Sequence, residues 1–114
     1  MRKREFEDYI QDILDSANAI EEFVKGVEFE DFVRDRKISF AVTRAIEIIG
    51  EAAKHIPKLI IDKYPEIPWK DMAGMRDKVI HEYFGVDLKV VWKTATQHIP
   101  EIKPLIQKVL IEEK

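Results

Sequence analysis

The chain has 114 residues, 46% of them apolar and 36% charged, which suits one compact domain spanning residues 1–114 and leaves no length for a second core. It contains no cysteine, so disulfides, thiolate catalysis and cysteine-ligated zinc or iron–sulfur centres are excluded. A formal net charge of −3 argues against non-specific nucleic-acid binding by the whole surface, because such binding rests on an excess of Lys and Arg; a local basic site would have to be gathered by the fold or by a dimer.

The first residues, Met-Arg-Lys-Arg-Glu-Phe-Glu-Asp, are charged and lead into an amphipathic pattern. No apolar signal region and no uninterrupted apolar run of membrane-spanning length occurs, and this reads as a cytoplasmic protein. Apolar residues at Phe6, Tyr9, Ile10, Ile13, Leu14, Ala17, Ile20 and Val24 recur in three- and four-residue steps and predict a first amphipathic helix, ended by Gly26. After a short segment at 29–33, a second helix is patterned by Ile38, Val42, Ala45, Ile46, Ile49, Ala52, Ala53 and Ile56, with Pro57 at its limit. A brief helical turn is expected at 58–63. Two prolines within 64–69 forbid regular helix there and mark the principal internal connection.

The third major helix is predicted from Trp69 or Lys70 to Phe84, stopping at Gly85. Asp87 then offers an N-cap for a last helical stretch with Leu88, Val90, Val91 and Trp92. Pro100 and Pro104 interrupt that stretch, with Pro100 suited to the first turn of a new helix through Ile102, Leu105, Ile106, Val109 and Leu110. No strand alternation or repeat appears. The expectation is an all-α, up-and-down bundle of four to five helices.

The chemically dense stretch lies on the third helix, at Arg76-Asp77-Lys78-Val79-Ile80-His81-Glu82-Tyr83-Phe84. At 100° per residue, Arg76 and Tyr83 fall nearly in line, beside a stripe of Met72, Met75, Val79 and Ile80, so the guanidinium is expected on the apolar face. Asp77 and His81, four apart, share an edge where a carboxylate can orient an imidazole. Spacing alone equally allows a plain arginine that snorkels to Asp77 or Glu47, and a half-buried core tyrosine at Tyr83. Glu47 and Glu51, four apart on the second helix, read as a solvated or interface-facing ladder with Arg44 and His55 as local partners, near the rim of any site at most. His55 and His98 stand on other segments, and no spacing builds a metal site. Trp69 and Trp92 are expected in the core.

The combination Arg-x4-His-x-Tyr at Arg76, His81 and Tyr83, preceded by Tyr-Pro-Glu-Ile-Pro-Trp and followed by Gly-Val-Asp, closely resembles the HepT-like toxins of the HEPN superfamily. The segment Arg44-Ala-Ile-Glu-Ile-Ile-Gly-Glu-Ala-Ala53 resembles that family's second helix, and the likeness covers nearly the whole chain. The resemblance implies a HEPN-like α-helical homodimer and a ribonuclease toxin of a toxin–antitoxin pair, working without metal or other cofactor. It implies Arg76 and His81 as catalytic, Asp77 as the polar residue after the arginine, and Tyr83 as the acceptor of AMP from a nucleotidyltransferase antitoxin. An RNA substrate, tRNA among the candidates, and a 2′,3′-cyclic phosphate product are the matching expectations. RNA carries its own nucleophile, the 2′-hydroxyl, so a base, an acid and a cation suffice, and a two-fold dimer supplies two copies of Arg76 and His81 to one cleft. The competing expectations are a non-catalytic partner that presents RNA or a nucleotide to the nucleotidyltransferase, and a purely structural helical dimer.

Overall fold

A computed structural model describes residues 4–81 and 87–113, and side chains for 4–78 and 87–113. The expected helix end at Phe84 and Gly85, and Tyr83 itself, lie outside the described residues. So do the side chains of Val79, Ile80 and His81.

The described residues form an all-α bundle with no strand. Its α-helical segments are α1 (Phe6–Val24), α2 (Phe29–Arg34), α3 (Arg36–Ala53), α4 (Lys58–Lys63), α5 (Trp69–His81), α6 (Leu88–Lys93) and α7 (Ile99–Glu112), with a π-helical turn at Thr94–His98. That is more segments than four to five, because the two short stretches at 29–34 and 58–63 are helical as well. Three of the starts have a local carboxylate as their cause. Asp8 accepts from the Glu5 amide at 2.9 Å, Asp35 accepts from the amides of Lys37 and Ile38, and Asp87 accepts from those of Lys89 and Val90. These carboxylates satisfy amides that have no partner within the helix and complement the helix dipole. Gly26, with φ of +73°, makes the turn after α1, a conformation L side chains rarely adopt.

The expected interruption before Pro100 takes another form. Residues from Leu88 to Glu112 run as one helical rod, and the π turn just ahead of α7 carries the Ile99 amide to the Thr94 carbonyl, five residues back. A proline lacks the amide and its ring collides with the carbonyl four residues earlier. Widening the preceding turn lets the rod continue. At the other end, α3 stops at Ala53 rather than near Ile56; tighter bonds from His55 to Ala52 and from Ile56 to Ala53 close it before Pro57.

α3 is central: it packs on α1 along one flank and on α5 along the other, while α7 packs on α1. Ile10, Ile13 and Ile20 of α1, Val42, Ile46 and Ile49 of α3, Met72 of α5 and Ile99, Ile106 and Val109 of the C-terminal rod are almost wholly buried. Each such side chain contributes about 1.5–3 kcal/mol on burial. Trp69 is buried and donates from Nε1 to the Tyr64 carbonyl at 3.0 Å. Trp92 is half-buried against Phe32, with ring centroids 5.0 Å apart. Trp69 is thus a core residue, as expected, while Trp92 packs against the core from its edge. No helix among the described residues is long and apolar enough to cross a membrane.

Candidate active site

Arg76 sits where α5 crosses α3 at close range. A Cβ added to Gly50 would meet the Arg76 backbone nitrogen at 2.9 Å, the Arg76 Cβ at 3.0 Å and the Met72 carbonyl at 3.1 Å. Only a residue without a side chain allows the two backbones this approach. Gly50 therefore fixes where the arginine leaves α5. Met72, one turn earlier, is fully buried and locks the rotation of α5.

From that root the Arg76 side chain reaches a groove and is 41% exposed, so it is not enclosed by the apolar face. Its Nε lies 3.2 Å from Glu51 Oε2, and its Nη1 lies 3.7 Å from Asp77 Oδ1. Asp77 is exposed and also lies 3.6 Å from Lys54 Nζ. Pairs this exposed contribute little to stability, about 0–1 kcal/mol each. Their effect is on orientation: a carboxylate on Nε restricts the planar guanidinium to a few rotamers.

The sequence expectations divide at this point. Of the acidic partners foreseen for Arg76, Asp77 is one, but Glu47 is not; the second is Glu51. Glu47 instead accepts from Arg44 at 3.3 Å, as the ladder reading had it. Glu51 lies against Arg76 with its own side chain more than half exposed. His55, expected beside Glu51, stacks on Tyr9 of α1, with ring centroids 4.5 Å apart and planes within 9°. Arg4 covers the Tyr9 ring at 4.5 Å and pairs with Asp12 at 2.7 Å. These groups and Arg76 line one groove of about 280 Å³. Sequence reading missed Gly50 as the seat of Arg76 and the Tyr9–His55 stack as part of this groove. A glycine inside an Ala- and Ile-rich helix was the available signal for the first; nothing local signals the second, because 46 residues separate the rings.

Glu47 and Glu51 are both engaged by arginines, and among the described residues no three His, Cys, Asp or Glu side chains come together as a metal-ligand set. The chemistry on offer at this groove is that of a held cation beside an aromatic stack.

Comparison with known proteins agrees with the motif. Residues 13–109 match the family described as ribonuclease HepT-like. The chain belongs to the HepT-like ribonuclease family. It is 52% identical over 107 residues, 94% of this chain and 97% of the relative, to a protein of Thermococcus cleftensis named "Probable ribonuclease HepT". Two relatives named as candidate RNases are similar as well: one from Methanocaldococcus jannaschii at 50% identity, covering 96% of this chain and 91% of its own, and one from Caldanaerobacter subterraneus at 46%, covering 93% and 95%. No solved structure matches the HepT-like chain.

Proposed function

We propose that this HepT-like chain is a metal-independent endoribonuclease that acts as a homodimer, with Arg76, His81 and Asp77 of both protomers forming one composite site. The observation that carries the reading is the groove-facing Arg76, held by Glu51 and rooted at Gly50, on a chain matched to a ribonuclease family over residues 13–109. In the reaction the 2′-oxygen attacks the adjacent phosphorus. One His81 imidazole takes the 2′-hydroxyl proton, the phosphorus–5′-oxygen bond breaks, and the imidazolium of the other protomer protonates the leaving 5′-oxygen. The products are a 2′,3′-cyclic phosphate and a free 5′-hydroxyl. Arg76 offsets the charge that builds on the phosphorane oxygens, where a planar fork of donors fits best.

Control follows from the same site. The chain is the toxin of a toxin–antitoxin pair, and a nucleotidyltransferase partner transfers AMP from ATP to the Tyr83 hydroxyl, releasing pyrophosphate. The added phosphodiester brings negative charge and bulk beside the catalytic groups, and RNA is excluded. The deciding test is cleavage of single-stranded and loop RNA in EDTA by wild type, Arg76→Ala and His81→Ala. Cleavage by wild type alone supports the reading. Activity that EDTA removes, or that survives His81→Ala, refutes the mechanism; binding of RNA or nucleotide with no cleavage points to the non-catalytic partner role.

A further inference from the structure

On the other side of α5 lies a second and larger groove, about 690 Å³, between α5 and the α6–π–α7 rod. Its α5 wall carries Lys70, Gly74 and Lys78, each four residues from the next, and therefore in one column about 12 Å long. Its opposite wall carries Lys93 and His98. On an α-helix those two residues, five apart, would point about 140° away from one another. The π turn between them, Thr94–His98, spaces its bonds at five residues and brings both to the same groove.

Two features of this groove bear on what it can bind, its clustered cations and a bare glycine in its wall. The three arginines of the Arg76 groove are each held by a carboxylate: Arg4 by Asp12, Arg44 by Glu47 and Arg76 by Glu51. Among the described residues, none of Lys70, Lys78 and Lys93 has such a partner. All three are exposed, and among the described residues Asp71 is the one carboxylate in the lining, so on a chain of net charge −3 the described lining carries a local excess of cations. The second feature is Gly74. It lies inside a helix, where glycine is unfavourable relative to alanine, yet a Cβ there would meet nothing within 4 Å. Unlike Gly50, it has no packing partner among the described residues that requires its bareness. It leaves the wall open between two lysines, where a ligand backbone can lie directly against the helix.

We infer that this groove binds the sugar–phosphate backbone of single-stranded RNA, with Lys70, Lys78 and Lys93 each neutralising a phosphate and Gly74 giving the strand close access to α5. Lys78 and Arg76, two residues apart on α5, point about 160° from one another, so a strand held in this groove reaches the catalytic groups by passing around the helix. The inference rests on the ribonuclease reading for its ligand, and its test is made separable from that reading.

The probe is a short, fluorescently labelled single-stranded RNA with 2′-O-methyl riboses throughout, which lacks the 2′-hydroxyl and is not cleaved. Its affinity is measured by anisotropy over a range of salt for wild type, for Lys70→Gln/Lys78→Gln/Lys93→Gln, for Gly74→Leu, and for a control with exposed lysines changed elsewhere, Lys25→Gln/Lys37→Gln/Lys108→Gln. The groove triple is expected to bind at least about tenfold more weakly near 0.1 M salt, and its slope of log affinity against log salt should fall by about 2, at roughly 0.7 per lost phosphate contact. Gly74→Leu, at a position where an added Cβ meets open space, should also weaken binding several-fold, while the control stays within about threefold of wild type. A groove triple that binds like the control, or Gly74→Leu that binds like wild type, overturns the proposal. So does a groove triple with normal RNA binding that no longer self-associates in sedimentation, which would make this face an interface between copies. Cleavage of unmodified RNA is read alongside: wild type that binds through the groove without cleaving refutes the ribonuclease reading alone, and wild type that cleaves while the groove triple binds normally refutes the groove alone.

Discussion

Arg76 illustrates how a single side chain becomes useful through its neighbours. Its charge is present in any context; its direction comes from Glu51 on Nε and from the α3 backbone beneath its Cβ. Glu51→Gln keeps size and removes the charge that holds the guanidinium. Since misplacement of a reacting group by about 1 Å costs on the order of 100-fold, kcat is expected to fall roughly ten- to 100-fold, with little change in KM or Tm. Unchanged or faster turnover would mean that Glu51 competes with substrate for Arg76 instead of orienting it. Arg76→Lys should fail to restore activity, because an ammonium cannot offer two parallel donors to a phosphoryl group. For Tyr83, co-expression with the partner nucleotidyltransferase should add the mass of AMP to wild type and not to Tyr83→Phe. An absent increment, or one that persists in the phenylalanine variant, removes this residue's regulatory assignment.

At the scale of elements, two glycines in neighbouring helices have opposite consequences. Gly50→Ala places a methyl about 3 Å from α5 backbone, so the crossing must open; overpacking of this kind costs about 1–3 kcal/mol, and activity should fall further than stability alone explains because Arg76 moves with α5. Gly74→Ala meets nothing and removes a helix-interior glycine, so thermal denaturation should show a gain of about 0.5–1 kcal/mol. A loss there would show that the position is strained in a way the open space does not reveal. The C-terminus of α7 supplies a pH-sensitive clamp. The buried Tyr64 hydroxyl lies 2.6 Å from Glu113 and 2.9 Å from Glu112, and Lys63 pairs with Glu113 at 2.6 Å. The hydrogen bond with Glu113, then burial and the bond with Glu112, raise the Tyr64 pKa above its usual value, while bonds from Lys63 and then Tyr64 lower that of Glu113. Above about pH 10 the unfolded tyrosine ionises and the folded one does not, so Tyr64's contribution is complete below that pH and is lost as pH rises through the raised folded value. Glu113's contribution is present above the normal carboxylate range and is lost as pH falls through the lowered folded value. A profile of Tm against pH should therefore decline at both ends, and Tyr64→Phe should remove the alkaline decline and weaken the acid one.

For the whole molecule, the proposed chemistry requires a base, an acid and at least one fixed cation, and each chain carries a single His81. A homodimer across the motif helices fills that gap. Sedimentation equilibrium is expected to give a dimer at micromolar concentration, and specific activity should drop on dilution below the dimer constant. A fully active monomer would rule out the composite site.

The sequence by itself determined the all-α class, the major helices, the Asp87 cap, the core placement of Trp69 and the family, because each of these is written in local periodicity, capping chemistry or an ordered set of segments. It also determined that Arg44 would meet Glu47, a three-residue spacing on one helix. Only the tertiary structure decided that Glu51 rather than Glu47 holds Arg76, that Tyr9 stacks on His55, and that Lys93 and His98 line one groove. Contacts across helices depend on crossing distance and rotation, and here those are set by a bare Gly50, a buried Met72 and a π turn ahead of Pro100, none of which a helical repeat encodes.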